Sequence, residues 1–152
     1  MFEIEIYTDG AALGNPGPGG YGTILLCNGK RKELSQGYKY TTNNRMELLA
    51  VIEGLKALKN ENCKVTVYSD SQYVVNAIEK KWVFGWVKKR FIGKKNPDLW
   101  LEFLEYYRKH DVKLVWVKGH AGIKENERAD FLSVQAANSK NLLTDKGYIE
   151  SL

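Results

Sequence analysis

Cysteine and proline are scarce in this chain, and no long apolar run interrupts its 152 residues. The two cysteines, Cys27 and Cys63, have neither paired nor metal-ligand spacing, which argues against a disulfide framework and a zinc site. Two reduced thiols point to a cytoplasmic protein. The N-terminus, Met1-Phe2-Glu3-Ile4-Glu5, lacks the basic segment and apolar core of a signal peptide. No stretch reaches the ~18 apolar residues that span a membrane. Acids are outnumbered, 18 against 23 Lys and Arg, for a formal net charge of +5. That excess is modest in itself, but it is concentrated. Seven basic residues and no acid lie between Lys80 and Lys95, and a polyanionic partner is expected.

The length suits one domain with a real core, here divided into residues 1–138 and a polar, loosely held tail at 139–152. No repeat or linker argues for a second domain, and nothing demands more than a monomer. Residues 2–9 alternate as a strand, with Phe2, Ile4 and Ile6 against Glu3, Glu5 and Tyr7. The Gly/Pro-rich stretch 14–20 reads as a loop. Strands are expected at 21–27 and 31–40, joined by the hairpin signal Asn28-Gly29. Helical spacing of Leu48, Val51, Ile52, Leu55 and Leu58 predicts a helix over 44–59. A strand at 64–69, a helix over 71–80, a short helix over 82–87, a basic loop at 88–97 and a helix over 98–109 follow. A strand at 112–117 and a helix over 126–137 complete the pattern. A three-strand meander followed by alternating strands and helices implies an α/β fold, a mixed sheet flanked by helices. Sites in such sheets gather beyond strand ends.

Four acids stand at the ends of these elements: Asp9, Glu47, Asp70 and Asp130. Each has an ordinary structural explanation. Asp9-Gly10 reads as a turn after a strand, and Asp70 as a helix N-cap. Glu47 reads as the glutamate of a capping box with Asn44, and Asp130 as a solvated helix acid. Glu47 resists this best, because it continues the stripe of Val51, Leu55 and Leu58, and a carboxylate on an apolar face needs a partner. If the strands at 2–9 and 64–69 are parallel neighbours, Asp9 and Asp70 emerge at one edge. Clustered carboxylates repel one another unless a cation balances them, and hard divalent ions with oxygen ligands are the natural choice. His120 sits in the loop Lys118-Gly119-His120-Ala121-Gly122, where its ordinary pKa of ~6.5 suits proton transfer near such a site.

Five motifs carry a family likeness: Tyr7-Thr8-Asp9-Gly10-Ala11, Gly14-Asn15-Pro16-Gly17-Pro18-Gly19, Thr41-Thr42-Asn43-Asn44-Arg45-Met46-Glu47, Tyr68-Ser69-Asp70-Ser71-Gln72-Tyr73, and Lys118-Gly119-His120-Ala121-Gly122 followed by Asn126-Glu127-Arg128-Ala129-Asp130. In this order and spacing they resemble bacterial type 1 ribonuclease H, over residues 4 to 137. The resemblance implies a ribonuclease H-like fold, a five-stranded mixed sheet with helices on both faces. It implies cleavage of the RNA strand of an RNA·DNA hybrid, dependent on Mg²⁺ or Mn²⁺. The family's four acids match Asp9, Glu47, Asp70 and Asp130, and its catalytic-loop histidine matches His120. Its basic substrate handle corresponds to Trp82 through Lys95. The residues that hold a DNA-strand phosphate correspond to Asn15, Thr42, Asn43 and Asn44. Two departures stand out. Ile123 and Lys124 replace a second histidine and a proline common in relatives, and the basic loop closes early, at Pro97.

Two-metal hydrolysis activates a water and steadies the leaving 3′-oxygen, which leaves 5′-phosphate and 3′-hydroxyl ends. Asp9 is the expected bridge, with Glu47 and Asp70 on one side and Asp130 on the other. The RNA 2′-hydroxyl is best read by backbone and small polar groups, for which the 10–20 loop, the 41–44 turn and Gln72 are suited. Tyr73, Trp82 and Trp86 offer flat faces to deoxyribose, although the two tryptophans, one helical turn apart, also fit a core. Lys88, Lys89 and Arg90 suit phosphate contacts, with strong salt dependence and little sequence preference. A non-catalytic hybrid-binding module and another nuclease of the same fold are the alternatives.

Overall fold

The computed structural model describes residues 2–152. Strands β1 (Glu3–Ala12), β2 (Gly17–Cys27) and β3 (Lys30–Thr41) form the meander, and helix α1 (Asn43–Lys56) follows. Strand β4 (Lys64–Ser69) leads to helices α2 (Gln72–Glu79), α3 (Trp82–Lys88) and α4 (Pro97–Tyr107). Strand β5 (Asp111–Trp116), helix α5 (Lys124–Ala137), strand β6 (Leu142–Leu143) and helix α6 (Lys146–Ser151) complete the chain. The sheet order is β5-β4-β1-β2-β3-β6. Strand β4 runs parallel to both β1 and β5, while β2 is antiparallel to β1 and β3.

Three expectations change. The sheet has six strands rather than five, because residues 142–143 add a short parallel strand beside β3. Residues 17–20, expected in a loop, lie in β2, and the connection shrinks to residues 13–16. The tail is also tied down. The Asp145 carboxylate caps α6, accepting from the Tyr148 N–H, and takes further bonds from the Arg45 guanidinium and the Thr41 hydroxyl at 2.8 and 2.6 Å. Those partners lie 100 and 104 residues away, so no local pattern announced them.

Helices cover both faces. The Thr23 hydroxyl donates to the Ala50 carbonyl of α1 at 2.7 Å, so that side of β2 faces α1. Its neighbour Gly22 points the other way, as alternation along a strand requires, and lies against α5. The core beneath α1 and α4 includes Ile6, Leu48, Ile52, Val67, Trp100 and Phe103, all fully buried. Beneath α5 a smaller cluster forms around Ile24, Ala129 and Leu132. Burying a side chain of this size contributes about 1.5–3 kcal/mol, so the two layers hold α1 and α5 rigidly on opposite sides of β1.

Two glycines set how near those helices come to Asp9. A Cβ on Gly10 would lie 2.3 Å from the Glu47 backbone nitrogen, and one on Gly22, which pairs with Asp9, would lie 2.3 Å from the Ala129 carbonyl oxygen. Both contacts are with backbone, which cannot swing aside. Gly22→Ala is expected to push α5 outward, costing about 2–3 kcal/mol and lowering activity at least tenfold (~10-fold) through the Asp130 that α5 carries. Urea unfolding and turnover measured on the same preparation check both.

Candidate active site and nucleic-acid interface

The parallel register pairs Thr8 with Ser69, which brings the next residues, Asp9 and Asp70, out side by side. Strand β1 continues through Asp9 to Ala12, so the turn reading of Asp9 fails. The N-cap of α2 is Ser71, whose Oγ accepts from the Val74 N–H at 3.2 Å. That leaves Asp70 outside the capping role. Thr42 caps α1, accepting from the Arg45 N–H at 3.3 Å, so the Asn44–Glu47 capping box does not form. Two of the three local explanations fail because a neighbouring hydroxyl does the capping.

Ligand oxygens of Asp9, Glu47 and Asp70 all lie within 4.8 Å of one another. Asp9 and Glu47 are 5% and 6% exposed. The Asp9 Oδ1 accepts from the Gly10 N–H at 2.8 Å, while Glu47 Oε1 and Asp70 Oδ1 are buried with no protein hydrogen bond. Burial first, and then the Asp70 charge, push the Asp9 carboxyl up to about 8. Burial, with Asp9 and Asp70 beside it, raises Glu47 well above the carboxylate range. Asp130, on α5 and outside the tight group of three, pushes the Asp9 carboxyl up further. Buried acids this crowded hold protons unless a cation replaces them. Hard oxygen donors with free lone pairs are a fit set for Mg²⁺.

Trp116 lies outside the five motifs, and Asn126 entered only as the start of the motif that ends at Asp130. The Trp116 indole N–H donates to the Asp70 carbonyl oxygen at 3.1 Å, bracing the loop after β4 from β5. A tryptophan ending a strand just before the histidine loop was the available signal. Asn126, one turn before Asp130, is buried with its Oδ1 unpaired. His120 is outside the close group of three acids. Its side chain is 75% exposed, its φ is +57°, and Nδ1 lies 3.6 Å from a Glu127 carboxylate oxygen. Ile123, at the first departure, is the residue before α5 and makes no side-chain cap.

A cavity of about 930 Å³, which none of the four acids lines, gathers Asn15, Thr42 and Asn44 together with Tyr73, Trp82 and Trp86. The Asn43 N–H donates to Asn15 Oδ1 at 3.0 Å, joining the β1–β2 connection to the start of α1. Trp82 is 48% exposed. Trp86 packs edge-on against the buried Trp100, 5.9 Å between centroids, so it serves core and surface together. The Tyr73 hydroxyl accepts from the Trp100 indole N–H at 2.9 Å and from Asn96 Nδ2 at 3.1 Å. Lys88, Lys89 and Arg90 are exposed on the handle, outside the cavity, whereas Lys94 and Lys95 line it. Gln72 is exposed at the start of α2, two residues beyond Asp70.

The RNase H family model matches residues 2–138. A ribonuclease H of Syntrophus aciditrophicus is 58% identical over 151 residues, covering 96% of this chain and 87% of its own. LC9-RNase H1, a type 1 RNase H with the type 2 active-site motif, superposes with a TM-score of 0.80 at 32% identity, covering 99% of this chain and 81% of its own. LC11-RNase H1, solved in complex with an RNA/DNA hybrid, gives a TM-score of 0.67 at 28% identity, over 89% of this chain and 96% of its own.

Proposed function

The chain belongs to the ribonuclease H family, and from that premise we propose that it hydrolyses the RNA strand of RNA·DNA hybrids, with little sequence preference, through two ions held by its four acids. The observation that carries this reading is the group of Asp9, Glu47 and Asp70, with ligand oxygens within 4.8 Å and two of those oxygens buried without partners. Asp9, Glu47 and Asp70 would together hold one ion, and Asp9 with Asp130 would hold the other. Mg²⁺ is the assigned ion, with Mn²⁺ as a substitute. When bound, the ions acidify the attacking water and offset charge on the leaving 3′-oxygen.

The chain's own residues do the rest. Asp9 on β1 and Asp70 directly after the adjacent β4 fix the ligand oxygens, with the Trp116 indole holding the Asp70 backbone, so little entropy is lost on binding an ion. Thr42, Asn43, Asn44 and Asn15 hold a DNA-strand phosphate, while Trp82, Trp86 and Tyr73 pack against deoxyribose. Gln72 lies on the path of the RNA strand. Lys88, Lys89 and Arg90 lend non-specific attraction to phosphate. The hybrid bound to LC11-RNase H1 supports this choice of substrate. Residues 1–138 form the catalytic unit and 139–152 belong to it. Both cysteines are free thiols, which suits a cytoplasmic monomer. No helix among the described residues is long and apolar enough to cross a membrane.

Water attack and attack by the RNA's own 2′-hydroxyl leave different ends, and this separates the mechanisms. Cleaved RNA should carry 5′-phosphate and 3′-hydroxyl termini, detected as products that a ligase rejoins without prior treatment. A 2′,3′-cyclic phosphate would overturn the water mechanism. His120, exposed and free to approach the leaving group, moves a proton and does not hold the ions. His120→Ala is expected to lower kcat about 10–100-fold with the metal concentration for half-maximal activity unchanged. A large rise in that concentration would place His120 among the ligands instead.

A further inference from the structure

We infer that the C-terminal helix α6 is the third wall of the groove for the hybrid's DNA strand, with Tyr148 and Ser151 placed along the strand's phosphates. This rests on the hybrid reading above and extends it to a segment that lies beyond the family match at residue 138. Both residues line the cavity that holds Asn15, Thr42 and Asn44. Lys94 and Lys95 line the same cavity, and none of its described lining residues is an Asp or Glu. Two lysines, several neutral hydrogen-bonding groups and no acidic side chain favour an anion here.

The placement of α6 is fixed from the phosphate-binding turn itself. Arg45 follows Asn44 directly and is 2% exposed. Its guanidinium donates to both carboxylate oxygens of Asp145, at 2.8 and 2.9 Å, and to both of Asp98, at 2.9 and 2.7 Å. It also reaches Asn96 Oδ1 at 3.2 Å. One buried cation therefore ties together the first turn of α1, the base of the basic handle and the cap of α6. Tyr148 also packs on Tyr40 of β3, with ring centroids 5.6 Å apart. Asp145 is a positioning residue: it holds the wall in place without touching substrate.

Ser151 is exposed, and its hydroxyl donates only to the Tyr148 carbonyl of its own helix, so charge can be added there without disturbing the core. The test measures binding of a labelled RNA·DNA hybrid by fluorescence anisotropy in EDTA, where no cleavage occurs. Ser151→Asp should raise the Kd about five- to tenfold at low salt, and Ser151→Lys should lower it by a similar factor. Both effects should shrink toward parity at about 0.5 M salt. Asn28→Asp, at the hairpin tip between β2 and β3, makes the same charge change away from the cavity and should stay within twofold of wild type (~2-fold). A disturbance of folding would move both Ser151 variants in one direction, whereas a phosphate-facing wall moves them in opposite directions. Wild-type binding that neither Ser151 substitution alters overturns the wall and leaves the hybrid reading intact. A wild-type chain that does not bind the hybrid overturns both.

Discussion

Asp9→Asn should abolish Mg²⁺-dependent cleavage, by about 10³-fold or more, while making the metal-free protein more stable. Both effects come from one atom. The variant lacks a charged bridging oxygen, and it also lacks the anion that Asp70 and burial oppose. Asp9 binds its proton up to about pH 8 in the folded chain, against about 4 when unfolded. Between those values the folded state holds more protons than the unfolded one, so stability falls as pH rises. The contribution is fully present below pH ~4 and is gone above pH ~8. Asparagine removes that slope. Metal-free Asp9→Asn should therefore match wild type near pH 4 and exceed it by about 2–4 kcal/mol at pH 8, a Tm gain of 5 °C or more (~5 °C) for a chain of this size. Thermal unfolding in EDTA at the two pH values checks the sign. Added Mg²⁺ should raise the wild-type Tm and leave the variant's unchanged. A variant less stable than wild type at pH 8 would mean that Asp9 is not under electrostatic strain.

Arg45→Met should cost about 3–5 kcal/mol, the largest stability loss expected from any single polar substitution here. Methionine fills much of the same volume, so the loss comes from charge. It leaves the Asp145 carboxylate, 9% exposed, with only the Thr41 hydroxyl and the Tyr148 N–H. A buried anion without its cation costs more than the pair contributed. Adding Asp145→Asn and Asp98→Asn should recover part of the loss, because no anion then remains to be compensated. Urea unfolding of the single and triple variants measures this. A single-variant loss below about 1 kcal/mol would show that the guanidinium is solvated in solution.

How much could be read beforehand differs from residue to residue for physical reasons. Asp9 and Asp70 could be placed together because each ends a short apolar strand, and parallel neighbours carry adjacent positions to one edge. Glu47 was legible from its own helix, since an acid on an apolar stripe needs a partner. Asp130 was not legible in this way. Its approach depends on how closely α5 lies on Gly22, and a glycine in a strand gives no local sign of a helix neighbour 107 positions away (Ala129 against Gly22). The same limit applies to Arg45 and the tail. An arginine in the first turn of a helix looks like an ordinary surface charge, and both acids that bury it are distant in the chain, at Asp98 and Asp145. Lys94 and Lys95 lay within the recognised basic run, yet only the fold shows that they, rather than Lys88 and Lys89, line the cavity. Trp82 and Trp86 divide between the two readings open to them, one mostly outside and one packed on Trp100.

The most direct measurement is cleavage of four end-labelled duplexes by the wild-type chain in Mg²⁺: RNA·DNA, RNA·RNA, DNA·DNA and branched DNA. The expected result is cutting of the RNA strand in the hybrid alone, lost in EDTA and restored by added Mg²⁺. Binding to the hybrid without cutting under Mg²⁺ or Mn²⁺, or equal cutting of the DNA substrates, would contradict it.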